Sequence, residues 1–330
     1  MGVPPPDLGG VALFVSIITP AYDVAPFIGD AVASARAQCH ARWEMVVVDD
    51  GSRDGTALAA ERAAEGDPRI RVIRQENAGV SAARMAGLAV ARGDVLLFLD
   101  ADDWLAPDAL SRLDTRLTAA PAAVVAYGGF ASMADEARPG DLPLRLKTGP
   151  FPDGDILERL LVENLMANGG HMLIRREAFD RAGGFRPDIR YGEDWECWIR
   201  LALLGPFAAV PDRAPLLHVR ERQGSAYRRM ARDAAAFGPA MRAIWENPAL
   251  LARLGPERLA AVRRIADAEN EWVVGRELIR HGRHEEGLRR LRGAVAAAPR
   301  PKRAAMLAAA HLLPLLPERL HGPFARYPET

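Results

Sequence analysis

The sequence has few cysteines and no long apolar run. Its two cysteines, Cys39 and Cys197, are too few for a disulfide framework or a zinc site, so we expect a protein of the reducing cytoplasm. A membrane-spanning helix needs about 20 apolar residues. The longest candidate, residues 306–316, is shorter and is interrupted by His311 and Pro314. A transmembrane protein is therefore not expected.

Excess charge of either sign is also missing. Lys and Arg together number 43, as do Asp and Glu, so the formal net charge is zero. A neutral chain has no overall field that would attract nucleic acid or an anionic membrane. Any phosphate must then be held by local groups. Residues 1–10 have no basic segment ahead of an apolar stretch, so we expect no signal peptide.

The first 130 residues alternate between short apolar runs and helical periodicity. Apolar runs predict strands at 13–19, 43–48, 70–73 and 95–99, and the segments between them predict helices at 27–38, 56–64 and 81–91. Strands this apolar, separated by helices, indicate a parallel sheet that is covered on both faces. A ligand of such a sheet lies beyond the carboxyl ends of its strands.

Acidic and aromatic residues gather at those carboxyl ends. After the four strands in turn come Pro20, Tyr22 and Asp23; Asp49, Asp50 and Gly51; Asn77 and Gly79; and Asp100, Asp102 and Asp103. Carboxylates crowded at one edge repel one another, and a bound cation would offset that repulsion. Oxygen ligands alone favour Mg or Mn over zinc.

Each motif also has a purely structural interpretation. The run FLDADDW (98–104) could hold an ion, or it could cap the helix that follows. VVVDDGSRDGT (46–56) could contact a nucleobase, or form a capped turn. YGEDW (191–195) could supply a general base, or place acids at a helix N-terminus. His171 and His218 could contact phosphate or metal, or simply be packed.

The second half of the chain is mixed and then helical. Strands are predicted at 124–127, 172–174 and 216–219, a loop at 139–152, and a helix from Glu193 onward. Residues 272–299 predict two helices joined at 281–283. We expect a flexible tail at 1–12, an α/β domain at 13–228 and a helical region at 229–330. That region could buttress the domain, form a homodimer, or contact a membrane peripherally through residues 312–320.

Four motifs in order resemble those of the family-2 glycosyltransferases, which have the GT-A fold. They are VSIITPAYD, VVVDDGSRDGT, NAGVSAARMAGLAVARGDVLLFLDADDW and GGFRPDIRYGEDWECWIRL, and the resemblance covers residues 14–227. It implies a Rossmann-like mixed sheet flanked by helices. It also implies transfer of a sugar, with inversion, from a nucleotide-diphosphate donor such as a UDP-sugar. The acceptor would be a hydroxyl of a saccharide or lipid-linked molecule.

The resemblance implies a donor site and a catalytic pair. Pro20 and Tyr22 would line the base, with Tyr22 stacking on it. Asp50 would accept the base N–H, with Asp49 beside it. On the donor side, Arg84 would contact the nucleotide or support the acidic run, Asp100 and Asp102 would form the DxD pair, and Asp102 or Asp103 would hold a divalent cation. On the acceptor side, Asp194 would be the general base, Glu193 would position the acceptor or the base, and Trp195 would form a wall of the acceptor site.

Two positions depart from the family pattern. Met85 stands where the family usually has Asn. Where many members have Tyr-Arg-x-His, the nearest match here is Val219-Arg220-Glu221-Arg222. The histidine that such a segment could offer to a metal is therefore absent from that position.

Other functions fit the sequence less well. A nicotinamide dehydrogenase needs G-x-G-x-x-G after the first strand, and ITPAYD has no glycine. A nucleotidyltransferase would need a basic glycine-rich loop there, and a metal phosphohydrolase would need its nucleophilic Asp there. The serious alternative is a non-catalytic sugar-nucleotide-binding scaffold on the same fold. The intact Asp194 argues against it.

Overall fold

The computed structural model describes residues 12–222 and 237–312. Contacts divide the chain into two units, one formed by Met1–Ile156 and Leu165–Ile244 and the other by Leu157–Asn164 and Trp245–Thr330. The predicted tail up to residue 11, the boundary at 228 and the membrane contact at 313–320 lie outside the described residues. The predicted domain limits stay predictions.

A seven-stranded mixed sheet forms the centre of the first unit, in the order β10-β6-β9-β4-β1-β2-β3. Its strands are β1 (Val15–Ala21), β2 (Trp43–Asp49), β3 (Ile70–Arg74), β4 (Val95–Phe98), β6 (Val125–Tyr127), β9 (Met172–Arg175) and β10 (Phe207–Ala209). Strands β1 to β4 are parallel, and β9 runs antiparallel to both β4 and β6. The carboxyl ends of β1, β2, β3 and β4 therefore share one edge.

Helices cover this sheet and account for its apolar strands. Every residue of β2 is buried, as are six of the seven in β1. The helices of this unit are α1 (Ile28–Arg36), α2 (Thr56–Ala64), α3 (Val80–Val90), α4 (Ala109–Thr118), α6 (Arg176–Ala182), α7 (Glu193–Leu204) and α8 (Gly238–Trp245), the last of which extends one residue beyond the unit. In α4 the leucines at 110, 113 and 117 form one buried stripe, as the helical period requires.

A second, four-stranded sheet in the same unit was only partly predicted. Its order is β5-β11-β7-β8, from β5 (Trp104–Leu105), β7 (Phe130–Met133), β8 (Arg145–Lys147) and β11 (Leu217–Arg220). The prediction of a loop throughout 139–152 was wrong, because β8 lies within it. All three residues of β8 are exposed at the sheet edge, so no apolar pattern marked them. Pairing of β11 with β5 brings the end of the domain back to the acidic run.

The second unit is helical in its described part, as predicted. It contains α5 (Leu157–Val162), α9 (Pro248–Arg280), α10 (His284–Ala297) and α11 (Pro301–Leu312). Helix α9 is broken at Gly255, whose φ is 74°. Gly275 and Gly287 let α9 and α10 approach closely, since a Cβ on Gly287 would lie 2.6 Å from the carbonyl oxygen of Gly275. Among the described helices, none is long and apolar enough to cross a membrane.

Candidate active site

The turns after β1 and β2 are joined to each other beside an exposed aromatic ring. The amide of Asp23 donates to Ser52 Oγ at 3.0 Å, and the amide of Arg53 donates to Asp23 Oδ1 at 2.8 Å. Pro20 lies near the end of β1, paired with Val48. Next to these turns, Tyr22 is 49% exposed, which is unusual for a large aromatic side chain. The exposed ring of Tyr22 therefore lies next to a turn that hydrogen bonds to the neighbouring loop stabilise.

The two neighbouring acids after β2 have different surroundings. Both oxygens of Asp50 accept protein donors: Oδ1 from Gln75 Nε2 at 2.7 Å and the amide of Ala78 at 2.9 Å, and Oδ2 from the amide of Gly79 at 2.8 Å. Asp50 therefore fixes the turn after β3. Asp49 is also buried, but only its Oδ1 has a partner among the described residues, the amide of Ser52 at 3.1 Å.

Asp103, at the end of the acidic run, is buried and links this run to two distant segments of the chain. Its Oδ1 accepts from the amide of Arg220 at 2.9 Å, and its Oδ2 accepts from Asn168 Nδ2 at 2.6 Å. Asn168 also donates to Asp100 Oδ2 at 3.1 Å. Burial, together with the charges of Asp102 and Asp100, raises the pKa of Asp103 well above its usual range. Both of its oxygens are thus engaged by the protein.

Asp100 and Asp102 are the more accessible carboxylates of the run. Their side chains are 32% and 24% exposed. Asp102 Oδ2 accepts from Arg222 Nη1 at 3.1 Å. Burial and the nearby charge of Asp100 raise the pKa of Asp102. An added cation would relieve this repulsion.

One buried arginine joins the acidic run to the start of α7. Arg84 donates from Nη2 to Asp100 Oδ1 at 3.0 Å and from Nη1 to Glu193 Oε1 at 2.9 Å. Its side chain is almost fully buried. Residue 85, where the sequence departs from the family pattern, lies close to Gly184 and takes no part in these bonds. The motifs FLDADDW (98–104) and YGEDW (191–195) therefore lie at one site.

Asp194, beside Glu193 at the start of α7, has an unusually weakly acidic carboxyl group. Burial and the charge of Glu193 raise the pKa of Asp194 to about 7, although Arg84 acts in the opposite direction. Its Oδ1 accepts from the amide of Trp195 at 2.6 Å. A carboxylate that titrates near neutrality can accept a proton and release it again, as a general base must.

Sequence reasoning missed two residues that organise this site, Asn168 and Arg220. Arg220 is buried and donates from Nε to the Asp102 carbonyl at 3.0 Å and from Nη2 to Asp30 Oδ2 at 2.8 Å. Its guanidinium also lies over the ring of Trp104. Asn168 follows no predicted strand, and Arg220, although it lies in the segment compared with Tyr-Arg-x-His, is one of 41 arginines, so neither showed these contacts in the sequence.

Both candidate histidines have packed environments. His171 is buried, with Nδ1 2.6 Å from the Gly128 carbonyl oxygen and Nε2 accepting the amide of Ala167 at 3.0 Å. Burial lowers its pKa to about 4, so it is neutral. The ring of His218 stacks on Trp104, and burial lowers its pKa as well. These environments favour the structural interpretation of both residues.

The acidic edge fits a divalent cation that also binds substrate phosphate. Within the described residues there is no group of three or more His, Cys, Asp or Glu side chains that could hold a metal by itself. Mg²⁺ and similar ions, however, are commonly held by one or two carboxylates plus substrate phosphates and water. Asp100 and Asp102, whose side chains are 32% and 24% exposed, fit that role better than buried Asp103, although both oxygens of Asp100 also accept hydrogen bonds from Arg84 and Asn168.

Comparison with known sequences identifies the family. The profile described as Glycosyl transferase family 2 matches residues 16–183, half of the chain. The chain is 35% identical over 184 residues to the uncharacterized glycosyltransferase EpsJ of Bacillus subtilis, covering 54% of this chain and 53% of that protein. It is 32% identical over 193 residues to the putative teichuronic acid biosynthesis glycosyltransferase TuaG of the same organism, covering 58% and 73%.

Solved structures share the architecture. The structure of Staphylococcus aureus TarS 1–349 in complex with UDP-GlcNAc superposes with a TM-score of 0.64 at 16% identity, covering 95% of this chain and 90% of that one. A mannosyltransferase of Pyrobaculum calidifontis, PcManGT, in complex with GDP-Man and Mn²⁺ gives 0.58 at 23% identity, covering 96% and 85%. These likenesses confirm the predicted mixed α/β fold with its helical C-terminal region. The sequence profile, which matches half of the chain, shows that the chain belongs to glycosyl transferase family 2.

Proposed function

We propose that the chain transfers a sugar from a nucleotide-diphosphate donor to an acceptor hydroxyl, with inversion at the anomeric carbon. The observation that carries the proposal is the pair of bonds from Arg84 to Asp100 and Glu193. These bonds hold Asp100, which is suited to a diphosphate-bound cation, near Glu193, the neighbour of the proposed base Asp194. A transferase needs both groups at one site, whereas a scaffold that only binds nucleotide has no use for the second.

The donor base would stack on Tyr22, with Pro20 beside it. We assign the contact with the base N–H to Asp49, because its Oδ2 has no partner in the described part of the chain. Asp50 would act indirectly by fixing residues 75–79, since both of its oxygens are engaged. A UDP-sugar is the expected donor, consistent with the UDP-GlcNAc complex of TarS.

The diphosphate would lie at Asp100 and Asp102. Asp102 would hold the divalent cation, and Arg84 would keep Asp100 oriented towards it. When bound, such a cation supplies positive charge to the departing diphosphate. The Mn²⁺ in the PcManGT complex makes manganese a reasonable first choice for assay. Asp103 would be structural, joining the acidic run to Asn168 and β11.

Asp194 would remove the proton of the acceptor hydroxyl as that oxygen attacks the anomeric carbon. The new glycosidic bond forms as the bond from the sugar to the diphosphate breaks, and the proton passes to Asp194. A single in-line displacement inverts the configuration. A pKa near 7 leaves much of Asp194 ionised at neutral pH and able to accept the proton. Glu193, held by Arg84, would orient the acceptor or the base.

The acceptor is proposed by class alone. TuaG is named for teichuronic acid biosynthesis, and a further relative, ExoO of Rhizobium meliloti, for succinoglycan biosynthesis. A saccharide or lipid-linked acceptor in polysaccharide, glycolipid or glycoconjugate biosynthesis is consistent with both. The chain covers 53% of EpsJ and 61% of ExoO, so the activity of a whole relative does not transfer directly. Homodimerisation and membrane contact by the helical region stay predictions.

The test is a thermal-shift panel of UDP-, dTDP- and GDP-sugars, each with and without Mn²⁺. A ligand that binds the folded state raises the melting temperature in proportion to the logarithm of its concentration over its Kd. We expect one nucleotide class to stabilise the protein most, and Mn²⁺ to increase that shift. Equal shifts from all donors, unaffected by metal, would refute the donor site. Anomeric NMR of the product made with the best donor would then test inversion.

A further inference from the structure

Strand β11, which pairs with β5 beside the acidic run, is followed by Arg222, a residue that lies against the proposed donor site. Arg222, two residues after the end of β11, donates from Nη1 to Asp102 Oδ2 at 3.1 Å. Asp102 is the carboxylate assigned above to the divalent cation. A cationic side chain of the protein therefore already occupies one oxygen of that carboxylate.

Arg220 and Arg222 alternate along the chain, but their surroundings differ. Arg220 is fully buried, and its guanidinium donates to Asp30 and to three backbone carbonyls, those of Asp102, Asp135 and Ala137. It is a structural residue. Arg222 is 25% exposed, and Asp102 is its single hydrogen-bond acceptor within the described residues. Since a guanidinium has five N–H donors, four remain for a ligand.

An aromatic ring fixes the position of this guanidinium. Arg222 lies over Phe27, with Cζ 4.5 Å from the ring centroid. Phe27 immediately precedes α1, on the segment that follows Tyr22. Stacking on a ring holds the plane of a guanidinium while its N–H edge stays available for hydrogen bonds. The side chain is thus held beside Asp102 rather than free in solvent.

We propose that Arg222 is a diphosphate-binding residue, which Asp102 holds in place until the donor arrives. The inference rests on the proposed function, because it places a donor diphosphate at Asp102. A diphosphate brings at least two negative charges to an edge that already has several carboxylates. Arginine suits phosphate oxygens because its planar fork can donate two parallel hydrogen bonds.

The same geometry makes Arg222 a competitor of the metal. A guanidinium has no acceptor atom, so it cannot ligate a cation. Arg222 therefore places a permanent positive charge beside Asp102. As long as Arg222 bonds Asp102 Oδ2, that oxygen is less available to a cation. Arrival of the diphosphate would transfer the N–H donors of Arg222 from Asp102 to phosphate oxygens.

The test measures binding by isothermal titration calorimetry, with UDP, UMP and uridine as probes, with Mn²⁺ or with EDTA. A charge-assisted hydrogen bond contributes about 1.5–3 kcal/mol, so Arg222→Gln should weaken UDP binding about 10- to 100-fold. Uridine lacks phosphate, so its affinity should not change. In EDTA the wild type should keep more of its UDP affinity than the variant does. Mn²⁺ alone, followed by electron paramagnetic resonance, should bind the variant at least as tightly as the wild type.

Arg145→Gln is the matched control. It removes an equal charge from β8 in the same sheet, where Arg145 pairs with Glu221, and should leave UDP binding unchanged. Equal UDP affinity for wild type and Arg222→Gln, or equal losses for UDP and uridine, would overturn the assignment to diphosphate. A wild type that binds no nucleoside diphosphate from the UDP, GDP and dTDP set would refute the proposed function itself. Melting temperatures of all variants establish that they are folded.

Discussion

Asp194 is the carboxylate whose replacement separates catalysis from donor binding most clearly. In Asp194→Asn the side chain keeps its shape and loses its ability to accept a proton. General-base catalysis contributes about 10²- to 10⁴-fold, so kcat/KM should fall by that factor. The Kd of the nucleotide should stay the same, because the base lies on the acceptor side of the proposed site. Exposed Asp188, which pairs with Arg186, provides a control in Asp188→Asn.

The pKa of Asp194 adds a pH dependence to this prediction. The base must be deprotonated, so kcat/KM of the wild type should rise with pH up to about 7 and then level off. The same limb should disappear in Asp194→Asn. A variant that keeps wild-type kcat/KM, or a wild-type profile that is flat between pH 5 and 8, would refute the assignment of the base.

Stability should depend on pH through the same group. The pKa of Asp194 rises from 3.8, its ordinary value, to about 7 in the folded protein, so the folded state holds the proton more tightly. This contribution to stability is complete below pH 3.8 and is lost as the pH rises to about 7. Between pH 5 and 8 the wild type should lose up to about 3 kcal/mol more than Asp194→Asn. Urea unfolding of both proteins at the two pH values measures the difference, and a constant gap would contradict it.

Three further substitutions test the donor site and its support. Tyr22→Ala should weaken UDP binding about 5- to 150-fold, because it loses about 1–3 kcal/mol of base stacking, and should leave the melting temperature unchanged. Tyr22→Phe should bind normally, and calorimetry of both variants measures the difference. Arg84→Met should cost about 3–5 kcal/mol in urea unfolding, because Asp100 and Glu193 lose their buried partner, and should move the rising limb of kcat/KM to higher pH. An unchanged urea midpoint would contradict this. Asp102→Asn should remove the extra thermal shift that Mn²⁺ gives with UDP, and Asp103→Asn should instead destabilise the fold by about 1–3 kcal/mol. The reverse pattern would assign the cation to Asp103.

The first four strands and three helices could be predicted because their local patterns agree with their final environment. Strand β2 is buried on both faces, so its seven residues form a nearly continuous apolar run in the sequence. Helix α2 has the predicted bounds, Thr56–Ala64. Strand β8 could not be predicted, because an exposed edge strand needs no apolar alternation. Its pairing with β7 alone defines it.

The sequence by itself determined the chemistry of the site, namely an aromatic ring and acids after successive strands and an acidic pair opening α7. Parallel strands place their carboxyl ends at one edge, so the meeting of these groups follows from their order along the chain. Tertiary structure decided which of these acids is engaged by the rest of the protein. Asp102 and Asp103 are chemically identical neighbours, and they differ only because Asn168 and Arg220, 65 and 117 residues farther along the chain, engage both oxygens of Asp103. Hydrogen bonds of that range leave no local pattern, and Arg222 faces Asp102 for the same reason.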